Sequence, residues 1–569
     1  MKRYIFKNRK LSILLIIAYM QIALIGIIQA FVFQYTGNVA GNKDFDSIGK
    51  CALLILFFII YYFYTAYTYA RVKNAYREDI TNQIKNDLFK GIFKKKLVEF
   101  NQENTSKYTS IFNNDVRLIE EQYYLSFFDL FSSVLEFILG LTYAMLINFW
   151  IGLIMLVVGL LSIFLPKLIS YHLSEVNAAA LDQQGEYNIF LKDSFLGFDV
   201  IKNTLSSRRF FRKHSDQNNS MEEKRKKMNY ANAQVISLTR LIVLTCQLGI
   251  TLIFGCFALF GYIDLPMMLA LIQLETSVFY PLEAALNDMT KIKASKDVCN
   301  KVADLIDTKE DEIKENKIDF KNEIAISNLS FHYPSSETVN KDVIKGFNYR
   351  FEKNKKYAIV GSSGCGKSTL IKLLLMQYRD YQGNITMDGF EYQTLNEFDI
   401  YKIMAVIPQN IFIFNDTLRN NITLYQEAND SEIMECAKKA GLTSVITSLH
   451  EGLDTMIDEN GNNFSGGEKQ RIAIARAYLN KNEFIILDEA TGALDNQTAY
   501  LVEKAILDDP NLTCVSITHR YNKENLMNYD EILVMNEGVL QEKGKFTELM
   551  KRKSLFYELY TINQKVETE

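Results

Sequence analysis

Nine consecutive residues, Gly361, Ser362, Ser363, Gly364, Cys365, Gly366, Lys367, Ser368 and Thr369, have the make-up of a loop that holds phosphate. The glycines let the backbone turn tightly, so its amides can point at phosphate oxygens, and the start of a following helix adds a partial positive charge. Lys367 would neutralise β- and γ-phosphates, Ser368 would hold Mg²⁺, and Thr369 places a further hydroxyl near the helix start. The flanks agree: 356–360 reads as a short buried strand and 367–378 as a helix, the context this loop requires. A second chemical feature is the pair Asp488 and Glu489 behind the all-apolar run 484–487. Such a run fits a parallel strand covered on both faces, and α/β sheets bind ligands at the C-terminal ends of those strands. A third is Ser465, Gly466 and Gly467, which open a strongly helical stretch over 468–479 and offer another anion site at a helix start.

The order and spacing of these pieces, with Ser465 standing 23 residues before Asp488, resemble the nucleotide-binding domain of ABC transporters. The resemblance assigns Asp488 to the Mg²⁺ shell and Glu489 to polarising the attacking water. It assigns Gln409 to contacts with Mg²⁺ and water, His519 to the γ-phosphate, and Tyr333 to stacking on adenine. Ser465, Gly466 and Gly467 would touch the γ-phosphate in the partner subunit's site. The chain departs from the family pattern at three places. Phe464 replaces the usual leucine and Glu468 the frequent glutamine, and Gly492 in the segment 492–495 stands where serine is commoner. Residues 458–461 resemble the exporter segment that touches coupling helices.

These sites must be carried by more than one domain, because 569 residues exceed what a single hydrophobic core supports. Residues 1–300 hold long apolar stretches, 301–322 read as a linker, and 323–569 have the mixed composition of a soluble α/β domain. With 63 basic and 67 acidic side chains the net charge is −4, which excludes any argument for a nucleic-acid partner. Only 6 prolines argue against a linker-rich or disordered chain. The seven cysteines are scattered without CxxC spacing, so buried or incidental thiols are expected rather than disulfides or a zinc site.

A membrane-crossing helix needs about 20 mainly apolar residues, and six segments qualify: 11–34, 51–70, 126–147, 150–170, 235–261 and 265–287. The first is too long for a signal-peptide core and lacks a cleavage site, so it reads as a retained helix. Lys and Arg concentrate at the N-terminus and in the connections 71–125 and 171–234, while the turns at 148–150 and around Asp264 have none. That asymmetry places the N-terminus, both long connections and the C-terminal domain in the cytoplasm. The basic connections also suit contact with anionic membrane lipids. In ABC exporters of the six-helix type the membrane helices run far into the cytosol and end in coupling helices, and 99–116 and 195–201 resemble these. Glu136 and Glu275 fall inside spans, where charge is costly, so they are expected to face the bundle interior or a water-filled cavity. Tyr61, Tyr62, Phe63, Tyr64, Tyr67 and Tyr69 could line a cavity or pack between helices.

The expected fold is an all-α polytopic membrane domain of six transmembrane helices followed by an α/β P-loop NTPase domain. The resemblance implies a half-transporter that hydrolyses ATP with Mg²⁺ between two subunits, paired with a second half-transporter as homodimer or heterodimer. Its cargo, which the sequence does not name, would be an amphipathic small molecule, lipid or peptide, exported by alternating access across a bacterial plasma membrane. A siderophore-type importer on the same fold is the alternative, with a regulatory subunit behind it. The absence of a cysteine-peptidase domain before the first helix argues against leader-cleaving peptide export.

Overall fold

The computed structural model describes all residues except 102, 104, 170–172, 309–317, 334–341, 459, 460, 462, 491–495 and 569. The chain divides into two compact units, Met1–Lys95 with Glu103–Lys309, and Lys96–Gln102 with Glu310–Glu569.

The first unit is helical. Among the described residues five helical stretches are long and apolar enough to cross a membrane: Arg9–Gly41, Phe45–Phe93, Thr105–Ile147, Ser207–Leu259 and Leu265–Ala294. They contain five of the six expected segments. The sixth lies on the apolar helix Phe149–Ile169. Two helices far outrun a bilayer: Ile48–Phe93 has 46 residues and Ser207–Leu259 has 53, lengths of about 70–80 Å at 1.5 Å per residue. The first span is broken at Leu24, between the helices Arg9–Ala23 and Ile25–Gly41. The last begins with Asp264 accepting from the Met267 amide at 2.8 Å, and carries Pro281 inside. Ala30, Ala144, Met155, Ile250, Phe254, Leu274 and Val278 form an apolar cluster between these helices.

Polar ends of the same unit are tied together away from the apolar spans. Tyr4 is buried and its hydroxyl donates to Asp87 at 2.7 Å, while Tyr76 donates to the Ile5 carbonyl at 3.2 Å and Tyr124 to the Met1 carbonyl at 2.9 Å. Burial, helped by the Asp87 carboxylate, pushes the Tyr4 phenol up to about 12. The segment expected as the second coupling region contains the short helix Phe198–Asn203. It flanks an apolar cavity of about 430 Å³ lined by Phe190, Phe195, Phe198, Phe210 and Phe211. The stretch read as linker begins inside a helix, Lys296–Ile306, whose amphipathic face buries Cys299 and Val302.

The second unit is built on two sheets. An antiparallel sheet has the order β2-β1-β4-β5, with β1 Glu323–Phe331, β2 Ile344–Glu352, β4 Gln382–Met387 and β5 Phe390–Glu391. The larger sheet has the order β10-β9-β3-β8-β7-β6, with β3 Lys356–Gly361, β6 Met404–Pro408, β7 Phe484–Asp488, β8 Thr513–Ile517, β9 Glu531–Asn536 and β10 Val539–Gly544. All its neighbours pair in parallel except β9 with β10. β3 and β8 are buried at every residue, as expected of strands covered on both faces.

Candidate nucleotide-binding site

Strand register brings four sequence-predicted segments to one edge of the larger sheet. Ile359 of β3 and Asp488 of β7 both stand opposite Ile517 of β8, and Pro408 of β6 stands opposite Asp488. Whatever follows each strand is therefore a neighbour of the rest: the glycine loop after β3, His519 just beyond β8, Glu489 after β7 and Gln409 after β6.

The loop has its shape because two of its glycines admit nothing larger. A Cβ on Gly361 would overlap the Met535 carbonyl. Gly366 has φ +105°, and a Cβ there would stand 2.8 Å from Ile344 Cδ1 and 2.9 Å from the Val343 oxygen. Gly366 caps the helix Lys367–Leu374. Lys367 is buried, and its Nζ donates to the carbonyls of Gly361 at 2.9 Å and Ser362 at 3.0 Å. The ammonium thus sits inside the curl of the loop, with the buried Cys365 sulfur 3.9 Å away. Ser362, Ser363, Gly364 and Ser368 remain exposed.

Ser368 hydrogen-bonds the Asp488 carboxylate, so residues 120 apart in sequence share one spot. Burial raises the pKa of Asp488 and the neighbouring Glu489 charge adds to it, while Lys372, Ser368 and Lys367 oppose the shift. Glu489 adopts the left-handed conformation, φ +51°, which costs a non-glycine residue on the order of 1 kcal/mol. Its amide donates to the Ile517 carbonyl at 3.1 Å, and its carboxylate Oε1 lies 2.9 Å from His519 Nε2. Both side chains stay open to solvent, at 32% and 43% exposure, so a water can reach the pair. Gln409 is exposed at its strand end.

Tyr333 is held against the same helix, its hydroxyl 3.0 Å from Thr369 Oγ1. Its ring meets Phe331 and Tyr378 edge to face, and the Lys372 ammonium stands 5.7 Å over the ring. Ser465 caps the helix Gly466–Leu479 in a reciprocal box: it accepts from the Glu468 amide at 3.3 Å, and its own amide donates to the Glu468 carboxylate at 2.7 Å. Glu468 is thereby accounted for. Phe464, 7% exposed, fills the apolar cluster with Ile413, Leu453 and Ile457. Ser465 and Gly466 are exposed and Gly467 is buried.

Two residues of this region escape the motif reading. Lys372 lies one turn beyond Ser368, a spacing that puts both on one helix face. Arg476, on the Ser465-capped helix, donates to the Asn421 carbonyl at 2.5 Å, the Phe412 carbonyl at 3.0 Å and Asn421 Oδ1 at 3.1 Å. Burial pulls its pKa down to about 10. Nothing in the local sequence marks it, because its partners come from another segment. The expectations for 492–495, and those for Glu459, Asn460 and Pro334, lie outside the described residues.

Known proteins share this arrangement. A family described as "ABC transporter" matches residues 344–492, and one described as "ABC transporter transmembrane region" matches 12–282. Heavy metal tolerance factor 1 of Caenorhabditis elegans is 38% identical over 42% of this chain and 29% of its own length. The ATP-dependent lipid A-core flippase of Blochmanniella floridana is 37% identical over 42% of this chain and 41% of its own. The flippase of the same description from Yersinia pestis is 34% identical over 49% and 48%. The chain thus spans less than half the length of these curated relatives. A bacterial Atm1-family ABC exporter solved with ATP bound superposes with a TM-score of 0.81 over 97% of this chain and 98% of that one, at 22% identity, which marks a common fold. With a transmembrane-region family and an ATPase family matching successive parts of one polypeptide, the chain belongs to the ABC transporters and is a multi-pass membrane protein.

Proposed function

We propose that the chain is one half of an ATP-driven exporter that moves an amphipathic small molecule, lipid or peptide by alternating access. The observation that carries the reading is the convergence at one sheet edge of a phosphate loop, the Ser368–Asp488 contact and the Glu489–His519 pair, in a chain that also has membrane-crossing helices. Lys367 and the loop amides bind the phosphates of ATP. Tyr333 offers adenine a ring with one face already covered by Lys372. Glu489 orients and polarises the attacking water, His519 holds Glu489 and meets the γ-phosphate, and Gln409 contacts the ion and water beside them.

The Ser368 hydroxyl and Asp488 carboxylate are hard oxygen donors of the kind Mg²⁺ takes, and two of them leave most of an octahedral shell to phosphate and water. Bound there, Mg²⁺ would neutralise charge on the β- and γ-phosphates. Raised by burial, Asp488 gains a stabilising partner for its charged form from such an ion. Ser465, Gly466 and Gly467 sit at a helix start suited to a γ-phosphate, and we assign them to the site of a second half-transporter. Two copies closing on two ATP molecules then drive the membrane helices, which requires ATP to bind the closed state more tightly. Basic N-terminal and connecting segments support an orientation with both termini cytoplasmic, in a bacterial plasma membrane.

Glu489→Gln tests the assignment in purified protein reconstituted in nanodiscs. ATP binding should persist while phosphate release falls by about 10²–10⁴-fold, the usual worth of a general base. Turnover near the unsubstituted rate would remove Glu489 from that role.

A further inference from the structure

Two carboxylates stand near mid-depth in the membrane unit. Glu275 lies about 15 Å along the helix Leu265–Ala294 from its start, and Glu136 about 16 Å before the end of the helix Ser126–Ile147. With six crossings those two helix ends share a membrane face, and half of a hydrocarbon core is about 15 Å. Glu275 is 5% exposed; its Oε2 accepts from the Thr251 hydroxyl at 3.2 Å, and its Oε1 has no partner among the described residues. Close by, acceptors accumulate. Pro281 has no N–H to give the Ser277 carbonyl one turn earlier. Gly140 packs so closely that a methyl on it would come 3.1 Å from that carbonyl oxygen. A methyl on Gly26, just past the break in the first span, would overlap the Ser277 hydroxyl and reach 3.7 Å from Glu136 Oε1. Neither carboxylate has an ion-pair partner among the described residues.

A layer rich in acceptors and poor in donors, at a depth where uncompensated charge is costly, favours one kind of guest: a positively charged hydrogen-bond donor. We propose that Glu275, with Glu136 and Ser277, forms a cargo subsite for the amino or guanidino group of an amphipathic organic cation. This rests on the exporter reading and narrows its substrate class.

The test uses the assembled protein in phosphatidylcholine nanodiscs with ethidium, an amine-bearing aromatic cation, followed by fluorescence anisotropy, and fluorescein as the anionic comparator. Ethidium should bind saturably, Glu275→Gln should weaken it about tenfold or more, Glu275→Asp should recover part of the loss, and fluorescein should be indifferent to all three. Ethidium affinity within twofold of the unsubstituted protein in Glu275→Gln, or no saturable binding at all, would overturn the subsite. ATP turnover by the unsubstituted protein in the same discs separates the two readings. Turnover without Glu275-dependent binding sinks the subsite alone, and absent turnover sinks the exporter reading.

Discussion

In the ATPase unit the charged side chains of the site follow strand ends, whereas in the membrane unit Glu136 and Glu275 sit inside helices. A strand end fixes position from both sides. Once Pro408, Asp488 and Ile517 are in register, Gln409, Glu489 and His519 have little freedom to be elsewhere. A mid-helix residue has only its depth and its face, and the neighbouring helix decides whether that face meets Thr251 or lipid. The ATPase unit therefore tolerates polar residues at an open edge, where solvent shares the cost. The membrane unit must satisfy each one internally.

The sharpest way to break this contrast is at the phosphate loop. Lys367→Ala should weaken ATP binding by about 10–100-fold, the worth of one charge-assisted contact, measured by equilibrium titration with a fluorescent ATP analogue. Unchanged affinity would mean that the ammonium serves only the loop carbonyls it bonds here. Next comes Arg476→Met, which leaves three acceptors on Phe412 and Asn421 unpaired. We expect a loss of about 2–4 kcal/mol, seen as a lower calorimetric transition for the ATPase unit. A smaller loss would make Arg476 peripheral to the packing of the Ser465-capped helix.

Asp488 sharpens the comparison through pH. Its folded pKa is raised, so the folded state holds the proton longer than the unfolded chain, and stability falls as pH climbs from the ordinary carboxylate range toward the folded value. Without nucleotide, Asp488→Asn should therefore stabilise the unit by on the order of 1 kcal/mol at neutral pH, with the gain vanishing below about pH 4. A gain that persists in acid would remove burial of the charge as its cause. The smallest effect is expected at Tyr4→Phe, which deletes one bond to Asp87 on the membrane unit and should cost about 1 kcal/mol. Thermal unfolding in nanodiscs would reveal it, and no change would mean that the N-terminal segment docks by its apolar contacts alone.

Motif residues that act through their own local backbone were legible in the chain. Gly361 and Gly366 are glycines because a Cβ has no room, and Ser465 with Glu468 spells a capping box. Tyr333 was legible as an aromatic near the site, but its hydroxyl contact with Thr369 was not. Phe464 looked like a departure and proves to be a core residue, since an apolar cluster accepts either side chain of suitable size. The linker expectation erred at its start because the helix Lys296–Ile306 keeps an amphipathic face through residues whose average composition is polar.

Sequence alone determined the long apolar helices, the glycine loop and the apolar strand that ends in two carboxylates, since each follows from local spacing and composition. Only tertiary structure decided that Ser368 meets Asp488, that Glu489 meets His519, that Arg476 ties two segments, and that Glu275 keeps one oxygen unpartnered. Those are contacts between residues distant along the chain, and they exist only where strand register and helix packing bring separate segments within hydrogen-bonding reach.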